Sequence, residues 1–131
     1  MAKTISQKVT FKNTNHTTLY SMYMNSKKHS EATGGKAKIS TKKGSFYSAW
    51  DGYISGITIH TEKNKSIVQT WRSSDFKIAD TDSLLILTFE QKGKDAILNI
   101  VHTQIPNHQL KALKKGWDDF YWKPWKKYLT Q

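Results

Sequence analysis

Pro106-Asn-His-Gln-Leu-Lys-Ala-Leu-Lys-Lys-Gly-Trp-Asp-Asp-Phe-Tyr-Trp-Lys-Pro-Trp-Lys-Lys-Tyr-Leu129 reads as one long helix that carries three of the chain's five Trp. Pro106 supplies a start, and Leu110, Leu113, Trp117, Phe120 and Tyr121 fall on the i, i+3, i+4, i+7 stripe of an amphipathic helix. Pro124 lies inside this pattern and lacks an N–H. It is expected to kink or end the helix near Phe120 to Lys123, or to set off a tail from Trp125 to Leu129 after a short break. Most of what precedes the stretch reads as short strands, and a curved sheet closed by one aromatic helix is a shape that makes a pocket.

Working back from the helix, turn signals recur about every eight to twelve residues, at Lys92-Gly-Lys-Asp95, Asp80-Thr-Asp82, Glu62-Lys-Asn-Lys65, Asp51-Gly52 and Lys42-Lys-Gly44. Between them lie strand candidates at Ala96 to His102, Ser83 to Glu90, Ser66 to Arg72, Tyr53 to His60, Phe46 to Trp50 and Ala37 to Ile39. The turns are short, so neighbours should pair antiparallel. Before them come two short helices, the first capped within Asn13-Thr-Asn15 and bearing Leu19, Tyr20, Met22 and Tyr23. The second is capped by Ser26 and stops at Gly34-Gly35. Thr4 to Phe11 is a first strand. The fold class is therefore α+β, with about seven strands in one sheet, and the whole of 1–131 reads as a single domain.

The chain has 131 residues, a formal charge of +11 and no Cys. The last point excludes disulfides, thiolate metal sites and a Cys nucleophile. The cations are 20 Lys and a lone Arg72. Base-edge and bidentate phosphate readout lean on Arg, so the charge reads as a solvated basic surface suited to an acidic protein partner, and nucleic acid is not the expected partner. The first residues lack the apolar core of a signal peptide and no apolar run is long enough to span a membrane, so a cytoplasmic location is expected.

The order of elements resembles the helix-grip fold of the START-like (SRPBCC) superfamily. Gly34-Gly35, Trp50-Asp-Gly-Tyr-Ile-Ser-Gly56, Ile67-Val-Gln-Thr-Trp-Arg72, Leu87-Thr-Phe89, Ile105-Pro106, Lys115-Gly-Trp117 and Phe120-Tyr121 are similar to successive signatures of one of its families. That family is named for homologues of the activator of the 90-kDa heat-shock-protein ATPase. The resemblance runs from about Thr10 to Leu129 and is nearest to the C-terminal domain of the eukaryotic activators. It reaches none of the separate N-terminal domain that makes their principal chaperone contact. It implies a sheet curled round the last helix with a cavity between them, and a role beside a chaperone or in stress response.

Strand alternation assigns an inward face. Ile67, Gln69 and Trp71 share one side, as do Leu85, Leu87 and Phe89, and Leu98, Ile100 and His102. Phe46, Ser48 and Trp50 form another possible inward set opposite Ile54, Gly56 and Thr58, with Gly56 letting the helix approach the sheet. Trp50, Gln69, Trp71, Phe89, His102, Trp117 and Tyr121 are accordingly the candidate ligand-binding residues: apolar walls with a few convergent polar groups.

Nothing in the sequence points to catalysis. The five His are scattered, and His102 and His108 lack metal-ligand spacing. Adjacent Asp118 and Asp119 diverge on a helix, and no nucleophile elbow, phosphate loop or dinucleotide fingerprint is present. No cofactor, metal or catalytic residue is expected. The expectation is a non-enzymatic module holding a small apolar or amphipathic ligand, or alternatively a protein-interaction module assisting a 90-kDa-class chaperone.

Overall fold

The computed structural model describes residues 3–130. β1 (Lys3–Phe11) leads through α1 (His16–Met24) and α2 (Ser26–Thr33) to a meander of β2 (Phe46–Ala49), β3 (Ile54–Glu62), β4 (Ser66–Ser73), β5 (Ser83–Lys92) and β6 (Asp95–Ile105). A 3₁₀ turn at Asn107–Gln109 then opens α3 (Leu110–Trp117), and a π turn at Asp118–Trp122 joins it to α4 (Lys123–Leu129). The curved sheet is antiparallel in the order β1-β6-β5-β4-β3-β2, so the two short helices carry the chain from one edge to the other.

The sheet has six strands rather than about seven, because Ala37 to Ile39 makes only an isolated bridge between Lys38 and Ser48. Its other two N–H groups go to serines of α2: Ala37 N–H to Ser30 Oγ at 2.9 Å, and Ile39 N–H to Ser26 Oγ at 2.9 Å. Side-chain partners thus replace a ladder. Ser26 is free for this because Asn25, not Ser26, caps α2, accepting from Lys28 N–H at 3.0 Å. Asn15 caps α1 likewise, and Gly34 ends α2 with φ 90°.

Registers line up one inward row: Thr58 opposite Gln69, Gln69 opposite Leu85, Leu85 opposite His102, and His102 opposite Ile5. The inward sets of β4, β5 and β6 are buried as alternation predicts. β2 is inverted relative to expectation. Phe46 is 68 % exposed, and Tyr47 and Ala49 face inward, because they pair with Gly56 and Ile54. Gly56 does not admit the helix. A Cβ there would meet Thr70 O at 2.0 Å and the Tyr47 ring at 2.8 Å, and the Tyr47 hydroxyl donates to Thr70 O at 2.6 Å. The glycine makes room for a tyrosine.

The irregularity expected near Phe120 to Lys123 is present as a π turn at Asp118–Trp122 between α3 and α4, and Pro124 falls in the first turn of α4 without ending the helical path. Lys123 N–H bonds to Asp118 O, five residues back, and this wide turn relieves the clash the proline ring would make with the Phe120 carbonyl. The extra residue per turn rotates the stripe. Leu113, Trp117, Tyr121, Trp122 and Trp125 are buried, whereas Phe120, expected inward, is 56 % exposed. Among the described residues no helix is long and apolar enough to cross a membrane.

Candidate functional site

An apolar cavity of about 300 Å³ lies between the sheet and the start of the C-terminal helix. Leu113, Gly116, Trp117 and Tyr121 form its helical wall, and Ile54 and Trp71 its sheet wall. Trp50 and Tyr53 close one side, and Gln109, Ala112 and Phe120 complete the lining. Ala112, Phe120 and Tyr53 are exposed and stand at the rim. No lining residue carries a formal charge.

Trp50 reaches the cavity from a turn and not by strand alternation. Trp50 and Asp51 both have positive φ, 51° and 57°, as the centre of a type I′ turn requires, and Gly52 N–H closes onto Ala49 O at 3.2 Å. Tryptophan is a poor residue for that conformation, so the neighbours must hold it. Asp51 N–H bonds to Lys36 O at 3.0 Å, and Gly35 lies so close that a Cβ would stand 2.5 Å from the Trp50 ring. On its other side the indole meets Phe120 edge-on, centroids 5.6 Å apart.

Two buried hydrogen-bond chains brace the walls. Trp117 Nε1–H donates to His102 Nδ1 at 3.0 Å, so His102 carries its proton on Nε2 and gives it to Ser83 Oγ at 2.7 Å, which donates to Trp71 O at 2.7 Å. In the second chain His29 Nδ1–H donates to Tyr23 O at 2.8 Å and its Nε2 accepts from the Tyr121 hydroxyl at 2.9 Å. Tyr23 donates to Gln69 Oε1 at 2.8 Å, and Gln69 Nε2 donates to Thr58 Oγ1 at 3.2 Å. Burial lowers His102 to about 3 and His29 to about 4, and pushes the Tyr23 and Tyr121 hydroxyls up. These groups are neutral struts.

Of the seven candidate residues, Trp50, Trp71, Trp117 and Tyr121 line the cavity. Gln69 and His102 stand behind its walls with their polar atoms bonded to protein, and Phe89 packs edge-on against Tyr20 at 5.7 Å. Sequence reasoning missed Tyr53, Gln109, Ala112 and Gly116 in this role. Gly116 alone carried a signal, a side chain absent from the inner face of an amphipathic helix. Trp122 reaches Gln7 Oε1 at 3.1 Å, whereas the buried Nε1 atoms of Trp50, Trp71 and Trp125 have no partner among the described residues. Among the described residues no three His, Asp or Glu group to hold a metal ion.

This architecture, with one helix gripped by the sheet, matches known proteins. A family model described as activator of Hsp90 ATPase homolog 1-like protein matches residues 9–130. The chain belongs to that family. An activator of 90 kDa heat shock protein ATPase homolog from Dictyostelium discoideum is 27 % identical over 99 residues, 75 % of this chain and 26 % of that protein. The chain thus spans about a quarter of that relative's length. The crystal structure of an HSP90 activator from Plasmodium falciparum superposes with a TM-score of 0.83 at 22 % identity, covering 99 % of this chain and 96 % of that one. A Mesorhizobium loti protein gives 0.81 at 18 % identity, covering 98 % and 97 %. Such likenesses show that this family member shares the helix-grip fold of its structural neighbours.

Proposed function

We propose that this single START-like domain is a non-enzymatic binding module that holds a small apolar ligand between the sheet and the C-terminal helix, in a cytoplasmic setting. The observation that carries this reading is the cavity itself. It is aromatic, uncharged, and braced behind its walls by bonded polar residues that keep Trp71, Trp117 and Tyr121 in place. Gln69 and His102 support the walls, Phe89 packs on Tyr20 and is not part of the lining, and the ligand contacts fall to Trp50, Trp71, Trp117 and Tyr121. Wall residues held by second partners are what a preorganised pocket needs. Titration with a hydrophobic fluorescent dye tests it. Saturable binding is expected, lost in Ala112→Trp, which fills the rim; absence of saturable binding to the intact protein overturns it.

A second reading is favoured by the family itself, whose relatives include proteins named as Hsp90 activators. In it the module assists a 90-kDa-class chaperone during stress, its exposed pairs Lys27/Lys28, Lys42/Lys43, Lys114/Lys115 and Lys126/Lys127 meeting an acidic face of the partner. A chaperone ATPase rate unchanged by excess protein at low salt removes this reading.

A further inference from the structure

We propose that the free edge of β1 is a docking site for an extended acidic peptide, which adds to the sheet as a further strand and lays alternate side chains in the groove between β1 and the C-terminal helix. The site shares no lining residue with the apolar cavity, so the proposal stands apart from the ligand-binding reading above.

The sheet has two edges, and the fold covers one of them. At β2, Lys38 and Ser48 exchange both backbone bonds, each N–H to O at 2.9 Å. At β1 nothing corresponds. Gly93-Lys94 is a two-residue hairpin turn, so the pair Lys92 and Asp95 that closes it is hydrogen-bonded, and alternate residues of β6 from Ala96 onward turn their backbone groups toward β1. Their partners Phe11, Val9 and Gln7 therefore bond to β6. Ser6, Lys8 and Thr10 aim N–H and C=O out of the sheet, and these groups have no partner among the described residues. The register is unbroken from Ile5 to Phe11, which makes this edge a regular template.

Beside the edge runs a groove of about 500 Å³, with residues 7–10 on one side and Asp118, Trp122 and Lys126 on the other. Inward-facing Ile5 and Phe11 are buried, whereas Gln7 and Val9 between them are only half-buried, so the helix stands off the middle of the strand. Gln7 spans the gap, accepting from Trp122 Nε1–H at 3.1 Å and donating to Lys114 O at 3.4 Å. An added strand finds backbone bonds at the edge and room for alternate side chains, the two components of recognition by strand addition.

Charge selects the occupant. Asp118 is engaged by Lys123 Nζ at 3.5 Å, while Lys8 and Lys126 form no ion pair among the described residues. Lys126 Nζ stands 5.9 Å from the centroid of the Phe11 ring, at the same end of β1. An acidic strand gains opposite-charge pairs with both lysines. A second copy does not, because antiparallel pairing centred on Lys8 sets that lysine opposite itself, between chains that each carry a formal charge of +11.

The test titrates the full chain with a short peptide of alternating Glu and Thr, its Lys counterpart, and the Glu peptide N-methylated at every residue, which keeps the charge and offers no N–H. The Glu peptide is expected to bind saturably and to slow amide hydrogen exchange at Ser6, Lys8 and Thr10. Methylation should weaken it by about 5- to 10-fold or more, the worth of at least one net hydrogen bond. Lys8→Glu should weaken the Glu peptide and strengthen the Lys one. Thr10→Pro removes an N–H that the sheet does not use, a place where an edge strand tolerates proline, and should weaken the Glu peptide while the chain stays folded. Equal binding of the methylated and unmethylated peptides overturns strand addition, and equal binding of the Glu and Lys peptides overturns the acidic class. A chain that sediments as a dimer with those three amides already protected gives the edge to a second copy and overturns the peptide. Should either variant fail to fold, the peptide comparison on the unaltered chain decides, and dye binding in the cavity is expected to be the same with and without the peptide.

Discussion

Trp117 donates its indole N–H to His102 Nδ1 across 3.0 Å, joining the helical wall of the cavity to the central row of the sheet. Protonation of His102 would turn that acceptor into a second donor facing the first. His29 is in the same position, since its Nε2 accepts from Tyr121. Burial lowers both in the folded state, to about 3 and about 4, below the ordinary histidine value of 6.5. Between those values and 6.5 the unfolded chain binds more protons than the folded one, so stability rises with pH there. It is fully present above about pH 6.5 and lost as pH falls toward the folded values, at up to ~1.4 kcal/mol per pH unit for each histidine. Chemical denaturation at pH 5.0 should show lower stability than at pH 7.0. His102→Asn should flatten the slope.

The π turn reverses the order in which two neighbouring aromatics matter. Trp122 is 2 % exposed and stacks on Trp117 with centroids 5.5 Å apart, whereas Phe120 is 56 % exposed at the cavity rim. Trp122→Ala should cost about 3–5 kcal/mol in an unfolding titration, and Phe120→Ala less than about 1 kcal/mol. A regular α-helical stripe through 113, 117, 120 and 121 requires the opposite order.

How much of this was legible from sequence depends on what each segment packs against. β4, β5 and β6 each lie between two other strands with one face in the core, so a period of two fixes Ile67, Gln69, Trp71, Leu87, Ile100 and His102. β2 is a four-residue edge strand with aromatics on both faces, and its register is set by the space above Gly56, which no local pattern shows. The helical wall was legible at Leu113, Trp117 and Tyr121. A period of 3.6 cannot anticipate a turn closed five residues back, so Phe120 and Trp122 exchanged roles. Gln69 and His102 read as inward polar groups. Their partners Tyr23 and Trp117 come from α1 and α3, far along the chain, and only the fold shows that they brace the site.

Gln69 provides a direct measure of that bracing. It accepts from Tyr23 and donates to Thr58 with all three side chains buried. Gln69→Leu leaves two hydroxyls facing an apolar group and should cost about 2–6 kcal/mol, at about 1–3 kcal/mol for each buried group left unpaired. Adding Tyr23→Phe removes one of those orphaned hydroxyls, so the double variant should be more stable than the sum of the single losses predicts. A double-mutant cycle by denaturant titration reads this coupling; strict additivity would show the two groups to be independent.

Two glycines beside the cavity should respond in opposite ways to the same added methyl. At Gly35 a Cβ would stand 2.5 Å from the Trp50 ring and 3.0 Å from its Cα, and neither the strained turn nor the backbone can give way cheaply. Gly35→Ala should therefore lower stability by about 1–3 kcal/mol and weaken any cavity ligand by displacing Trp50. At Gly116 the nearest atom to a new Cβ is on the Phe120 ring at 3.7 Å, an ordinary contact, and the residue lies within α3. Gly116→Ala should raise stability by about 0.5–1 kcal/mol through helix propensity alone. Because Gly116 also lines the cavity, the same methyl intrudes on the ligand space, so thermal melting and dye titration should move in opposite directions. A variant that gains both stability and affinity would place the ligand elsewhere on the molecule.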